Sequence, residues 1–424
     1  MNGAHQLARY ARVFLSRTAG TALQFLAQLI IGHWLGARGL GALGLAQSWT
    51  SLIGAVGNLG TAQLVLRRSA QGRNGRSPAA RSTWLSFGIT VAAIGGALTA
   101  AAIAALFAAG ALRADASWMM LTLTFLGGAS YAVARVPLED MKGQARVEYS
   151  MLLEYAAPFG LVLAGAPLVL CAGTRWSPEI IAGSYACCYV ALAFWLGRRI
   201  LRAHKITLRN LARRLRRSAS EMAALWGVQV GNQLTAAGPV LWLSGSASLA
   251  ELGGFAVGMR LVGLTATLSG TVSAYFAQSV IRAYRENNVR QVRQLYASAL
   301  VVNGALSTLV LSPMLLVPRL TLSLFGQTVA TSEAVTALML LASLRLARQW
   351  LGLSELFLAS SGRSGLDVGS QAVSIVLMVG VMLWSPGPAM LTAALAAGVA
   401  SLARALISFS AVLLVLQPYR RSRD

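Results

Sequence analysis

The chain has 424 residues, of which 56% are hydrophobic and 12% charged, and a mean hydropathy of +0.62. That charge content is about half the roughly 25% of a soluble globular protein, so a soluble domain is excluded and an integral membrane protein is indicated. The net charge of +23 would suit a nucleic-acid binder, but most basic residues fall between apolar segments, which argues against nucleic acid as a partner.

Twelve apolar segments approach the roughly 20 residues that a bilayer crossing needs. They cover 13–35, 40–66, 82–111, 117–138, 150–171, 179–201, 222–245, 250–281, 294–317, 333–357, 366–385 and 388–416. The predicted fold is therefore all-α, with about twelve transmembrane helices. In the first segment Arg17, Thr21, Gln24 and Gln28 share one helix face. In the second, Gln47, Ser51, Gly54 and Asn58 line up the same way.

The loop after the second segment carries five arginines between Arg67 and Arg81, and the turn after the fourth carries Arg135, Lys142 and Arg146. Cys171, Cys187 and Cys188 have no ligand spacing, and His5, His33 and His204 are scattered. The pattern therefore calls for no metal and no cofactor. The most basic stretch follows the sixth segment, from Arg198 to Arg217. Leu201, Leu208, Leu211 and Leu215 are interleaved there. It reads as a topology-fixing retention signal or as a helix on the anionic inner leaflet.

The seventh segment presents Gln229, Asn232, Gln233 and Ala236 on one face, then Pro239, which bends a helix as a static kink or as a hinge. In the eighth, Arg260, Thr267, Thr271 and Gln278 form an interrupted polar face. The tenth holds Arg345, Arg348, Gln349 and Glu355 on neighbouring turns, and the last holds Arg404. The spacing of Arg348 and Glu355 allows contact only through long side chains. Arg404 is expected to pair with Glu355 if the two helices pack.

Across these loops, twenty-seven basic residues fall on one side and four (Arg38, Arg113, Arg175 and Arg319) on the other. The positive-inside rule places both termini in the cytoplasm. The basic stretch divides the chain into six and six segments: an N-terminal lobe (1–201), a linker (202–218) and a C-terminal lobe (219–424). A shift of 212 residues lays Leu40-Gly41 on Leu252-Gly253 and Gln229 on Arg17. Six crossings per half give parallel repeats about an axis along the membrane normal. Polar faces on the first two helices of each half would line a cavity between the lobes, though interhelical hydrogen bonding explains any single Gln or Thr equally well.

Five arginines, Arg17, Arg260, Arg345, Arg348 and Arg404, lie within crossing segments. Each costs about 2.5–3.5 kcal/mol at the bilayer centre on insertion scales. The acids read inside the segments are Glu154, Glu355 and Asp367. The surplus of guanidinium suggests an anionic cargo. The candidate binding residues are Arg17, Gln24, Gln28, Gln47, Asn58, Gln229, Asn232, Gln233, Arg260, Arg345 and Arg348. Arg17 and Arg260 have first claim. For Arg345 and Arg348, lobe packing is an equal alternative.

Three stretches resemble the bacterial polysaccharide-repeat-unit (O-antigen, Wzx-type) flippases of the MOP exporter superfamily. They are HWLGARGLGALGLAQSWTSLIGAVGNLGTAQLVLRR from His33, GGFAVGMRLVGLTATLSGTVSAYFAQSVIRAYRENN from Gly253 and LFLASSGRSG from Leu356. The resemblance implies two six-helix lobes in a V and a cationic lumen. It implies an undecaprenyl-pyrophosphate-linked glycan as cargo, in the bacterial inner membrane beside polysaccharide polymerase machinery and membrane lipids. Arg17 and Arg260 are the positions it carries over. Arginine suits pyrophosphate because its fork of donors matches the anionic oxygens.

Two other classes compete. A cation-coupled multidrug or small-solute exporter of the MATE type needs carboxylates free to take coupling ions. A glycan polymerase or ligase needs a large external loop. The three acids lie near segment ends, and the external loops are short.

Overall fold

The computed structural model describes the backbone of residues 3–72, 78–144, 146–163, 177–203, 208–286, 288–360 and 364–416. Cys171, His204, Lys205, Arg363 and the arginines from 420 onward lie outside the described residues, as does the side chain of Arg17. The described residues are almost entirely helical, with no strand among them. Helix α1 (Gly3–Gly57) contains the first predicted crossing and most of the second, joined at Gly36 with φ 62°. Then come α2 (Thr61–Gly72), α3 (Pro78–Ala108), α4 (Trp118–Gly143) and α5 (Val147–Met151). Helix α5 runs into a π turn, Leu152–Ala156. Next are α6 (Pro178–Ala203), α7 (Leu208–Ser244), α8 (Leu249–Arg285) and α9 (Val289–Leu316). The chain closes with α10 (Pro318–Ser323), α11 (Ser332–Trp350), α12 (Ser354–Ser360), α13 (Ser364–Trp384) and α14 (Ala389–Leu416).

Helix starts follow local chemistry. Ser117 accepts a hydrogen bond from the Met120 amide at 3.2 Å, Asn288 from Gln291 at 3.1 Å and Thr331 from Ala334 at 3.2 Å. Ser248 and Glu251 form a reciprocal capping box at the start of α8. Each such cap satisfies amides that the first turn leaves without a partner.

Eight helices are long and apolar enough to cross a membrane, and the chain is a multi-pass membrane protein. The remaining predicted crossings fall where charge or chain geometry interrupts the apolar run. The second runs from the latter half of α1 across the break at Leu59-Gly60 into α2. The fifth includes the π turn and reaches residues outside the description. The seventh is α7, whose first turns are basic. The tenth is α11 and α12, parted at Gly352 with φ 82°. Several boundaries move, two of them with consequences for charge. Helix α4 continues past residue 138 to Gly143, and residues 208–218 form the first turns of α7.

The chain packs as two units. One contains Met1–Ala237 and Ser244–Gly253, the other Gly238–Leu243 and Gly254–Asp424. Helix α7 passes from the first to the second at Gly238, beside Pro239. In the first unit α4 packs against α1, α2, α3 and α6. In the second α14 packs against α11, α12 and α13, and α9 packs against α11.

The internal repeat is visible in element starts: Pro78 and Val289, Trp118 and Ser332, Pro178 and Ala389. Each pair is separated by 212 residues to within two. A contact inside the first unit has the same register. A Cβ on Gly41 would collide with the Leu249 carbonyl oxygen, and one on Gly253 with that of Ala37. Gly41 and Gly253, like Ala37 and Leu249, are 212 apart. Only glycine lets these backbones approach so closely.

Candidate functional site

The predicted polar faces of the first unit separate into two kinds of residue. Asn58 is fully buried and engaged by the protein. Its Nδ2 donates to the Ala132 carbonyl at 3.1 Å, and its Oδ1 accepts from the Ala62 amide at 2.8 Å. It joins α1 to α4 and holds the start of α2, a structural role in the first unit. Gln229 is also buried, and its Nε2 donates to the Ala55 carbonyl at 3.4 Å. Gln28 is 0% exposed, with neither side-chain polar atom hydrogen-bonded. Gln47 is half-buried with its Nε2 unpartnered. Gln24 and Gln233 are half-buried, and Asn232 is exposed. Arg17 lies on α1 and Arg260 half-buried on α8, in the second unit.

The densest charge in the second unit lies further along the chain. The Nε of Arg345 donates to the Thr265 hydroxyl at 3.0 Å. The Nη1 atoms of Arg345 and Arg348 both reach the Ser401 hydroxyl, at 3.4 and 3.3 Å. Two guanidiniums on adjacent turns of α11 thus converge on one oxygen of α14. Arg348 also pairs with Glu355 at 3.2 Å, made possible because the helix breaks between them. Arg404 lies 3.4 Å from Glu355, the pairing expected from sequence, and binds both oxygens of Asp367 at 3.1 and 3.2 Å.

Arg348 and Arg404 thus share two carboxylates, with Arg345 beside them. Among the described residues, no carboxylate lies within 4.0 Å of Arg345. The surroundings are held in place by a buried amide network. Ser269 donates to Asn303 and Gln349, each at 2.9 Å, and Asn303 donates to the Gln349 side chain at 2.9 Å. That network ties α8, α9 and α11 together one turn from Arg345.

A counterpart in the first unit was missed by sequence reasoning. Lys142 pairs with Glu139 at 2.9 Å and with Glu154 at 2.8 Å. Arg135 lies 3.9 Å from Glu139, and the Tyr131 hydroxyl donates to Glu154 at 3.1 Å. Glu154 sits in the π turn, a geometry frequent at functional positions. Next to this group Arg81 clamps Asp140 through two bonds of 3.0 and 2.6 Å, and Ser69 donates to the same carboxylate.

Arg135, Lys142 and Glu154 are spaced by 7 and 12 residues, and so are Arg348, Glu355 and Asp367. The two clusters occupy corresponding places in the repeat. The middle position reverses sign, Lys142 against Glu355. This repeated spacing was the available signal, hidden because Arg135 and Lys142 read as loop charges. Among the described residues, no group of His, Cys, Asp and Glu could hold a metal ion.

No family model matches the sequence, and no curated protein does. Solved structures do match. An inward-facing multidrug resistance MATE family transporter of the MOP superfamily aligns with TM-score 0.74 and 15% identity, over 97% of this chain and 100% of that one. Its outward-facing form aligns with TM-score 0.59 and 14% identity, over 97% and 96%. A MOP superfamily transporter from Pyrococcus furiosus, described as having a binding pocket of reverse polarity, aligns with TM-score 0.60 and 13% identity, over 97% and 96%. At these identities the likeness is one of fold, and the chain has the two-lobed, all-helical fold of MATE-type transporters.

Proposed function

We propose that the chain is a flippase. It moves an undecaprenyl-pyrophosphate-linked oligosaccharide from the cytoplasmic to the outer leaflet of the bacterial inner membrane by alternating access, with both termini cytoplasmic. The observation that carries this reading is Arg345, a guanidinium on a helix of the second unit that bonds to two hydroxyls and, among the described residues, has no carboxylate within 4.0 Å. With Arg348 beside it, the cluster retains one positive charge after its carboxylates are counted. A pyrophosphate offers several oxygens to such a pair, whereas a cationic drug would be repelled. Arg17 and Arg260, one in each half, supply further positive charge along the path. The glutamines of α1 and α7 suit the hydroxyls of a glycan. The Gly238-Pro239 step of α7, where the chain passes from the first unit to the second, serves as the hinge of the cycle. Export of a negative charge from a negative-inside cell gains about 2.3 kcal/mol per charge per 100 mV for full traversal.

A MATE-like cation-coupled exporter is the second reading, favoured by the multidrug transporters that share the fold. Its chemistry requires an intramembrane carboxylate available for a coupling ion. Here Glu139, Glu154, Glu355 and Asp367 each pair with Arg or Lys. The test is reconstitution of the full chain in proteoliposomes with two cargoes: a polyprenyl-pyrophosphate-linked sugar and a cationic dye. Movement of the first but not the second supports the flippase, with Arg17→Ala and Arg260→Ala each impairing it at normal protein level. Movement of the dye alone, driven by a proton or sodium gradient, establishes the exporter.

A further inference from the structure

A second concentration of arginine lies in the first unit, apart from the two charge clusters. A cavity of about 430 Å³ is lined by Arg68, Trp84, Arg213, Arg214, Arg217 and Ser218. Helix α7 supplies three of the arginines within its first three turns, at spacings that place Arg213 and Arg217 on the same face. Helix α2 supplies Arg68, and α3 supplies Trp84, three residues after the start of its apolar run.

The guanidiniums of Arg68 and Arg214 both lie over the Trp84 ring, at 5.4 and 5.1 Å. The tryptophan is anchored below by a cluster containing Leu64, Phe87, Val91 and Met222. A tryptophan at the end of an apolar helix, apolar below and polar above, marks the level of lipid headgroups.

The charge balance at this cavity is one-sided. Glu221 pairs with Arg68 at 2.7 Å and approaches Arg67 at 3.9 Å. Arg213, Arg214 and Arg217 have no carboxylate within 4.0 Å among the described residues. The neighbouring sequence stretches 71–80 and 199–210 contain no acidic residue. Helix propensity alone does not require four arginines around one cavity, because mutual repulsion works against it. An anion in the cavity removes that repulsion, and the guanidinium fork is suited to the oxygens of a phosphate.

We propose that this cavity is a binding site for a phosphate group, carried by an anionic phospholipid headgroup of the adjoining leaflet or present as free phosphate. It holds the start of α7 at the membrane surface, separately from the cargo path. The position of Trp84 favours the lipid, because a headgroup phosphate sits at that level while its acyl chains follow α3.

The experiment uses the full chain, purified in a neutral detergent. Its melting temperature is measured with phosphatidylglycerol, with phosphatidylcholine and with sodium phosphate, at matched ionic strength. Wild type is expected to gain stability with phosphatidylglycerol and not with phosphatidylcholine. A gain with sodium phosphate as well assigns the site to the phosphate group itself, and a gain with phosphatidylglycerol alone assigns it to the lipid. Each basic residue at an anionic surface contributes about a factor of five in affinity, so R213Q/R214Q/R217Q should raise the half-saturating lipid concentration roughly a hundredfold. R213Q/R217Q leaves the Trp84 stack intact and should raise it about 25-fold. Equal charge removal at Arg282, Arg290 and Arg293 should leave the response unchanged. An unaltered response in R213Q/R217Q, or an equal loss in the Arg282, Arg290 and Arg293 variant, overturns the proposal.

Discussion

The two charge clusters at corresponding places in the repeat differ in one respect. In the first unit Arg135 and Lys142 face Glu139 and Glu154, two cations against two anions, with Arg81 and Asp140 a further matched pair alongside. In the second unit Arg345, Arg348 and Arg404 face Glu355 and Asp367. Position 142 reverses sign at position 355, and Arg404 supplies the missing cation from α14. Arg345 is then surplus, since the residue at the corresponding place in the first unit is Ala132. A balanced cluster needs no explanation beyond packing. A surplus guanidinium within a membrane protein costs free energy, and its retention points to cargo.

The comparison can be broken at several points. Glu154→Gln should have the largest structural effect. The side chain is buried, and its loss leaves Lys142 under-compensated and weakens the acceptor of the Tyr131 hydroxyl. Breaking a buried pair from one side costs about 3–5 kcal/mol. The expected result is a lower melting temperature and less protein in the membrane. A stable Glu154→Gln protein that no longer transports would move function to the first unit.

Arg404→Leu should cost less, about 1.5–3 kcal/mol, the range of a hydrogen bond to a charged group. Asp367 loses its partner but is partly exposed, and Glu355 keeps Arg348. Thermal melting measures this, and a loss as large as that of Glu154→Gln would contradict the ranking. Asn58→Ala should cost about 1–2 kcal/mol, because the Ala62 amide and the Ala132 carbonyl lose a buried partner. Its transport per folded molecule should be unchanged. Impaired transport there would place Asn58 on the cavity face.

Most of the helical architecture was legible in the sequence, because an apolar run of crossing length is a strong signal and basic loops punctuate it. The register of the repeat was legible too, through Leu40-Gly41 and Leu252-Gly253. The charge clusters were less so. A hydropathy reading stops at the first acidic pair, so α4 was cut at residue 138, and Glu139, Asp140 and Lys142 were left outside. The sign change between Lys142 and Glu355 concealed the shared spacing. Asn58, bonded to Ala132 and Ala62, shows why site residues are harder to read: a helix packed against another presents polar residues at the same spacing as a helix lining a cavity. Sequence separates the two only when a side chain's partners are known.

Arg345→Met tests the central claim most directly. Methionine keeps most of the volume, and the Thr265 and Ser401 hydroxyls that remain can bond to helix carbonyls. Replacing a buried charge by an apolar side chain is often neutral or stabilising when no counter-charge is left behind. The melting temperature should therefore be unchanged or higher. Flipping of a polyprenyl-pyrophosphate-linked sugar in proteoliposomes should fall at least about tenfold, the least expected from losing a charge-assisted contact to the cargo. Undiminished flipping, or a loss of stability comparable to that of Glu154→Gln, would contradict the account and make Arg345 a packing residue like its neighbours.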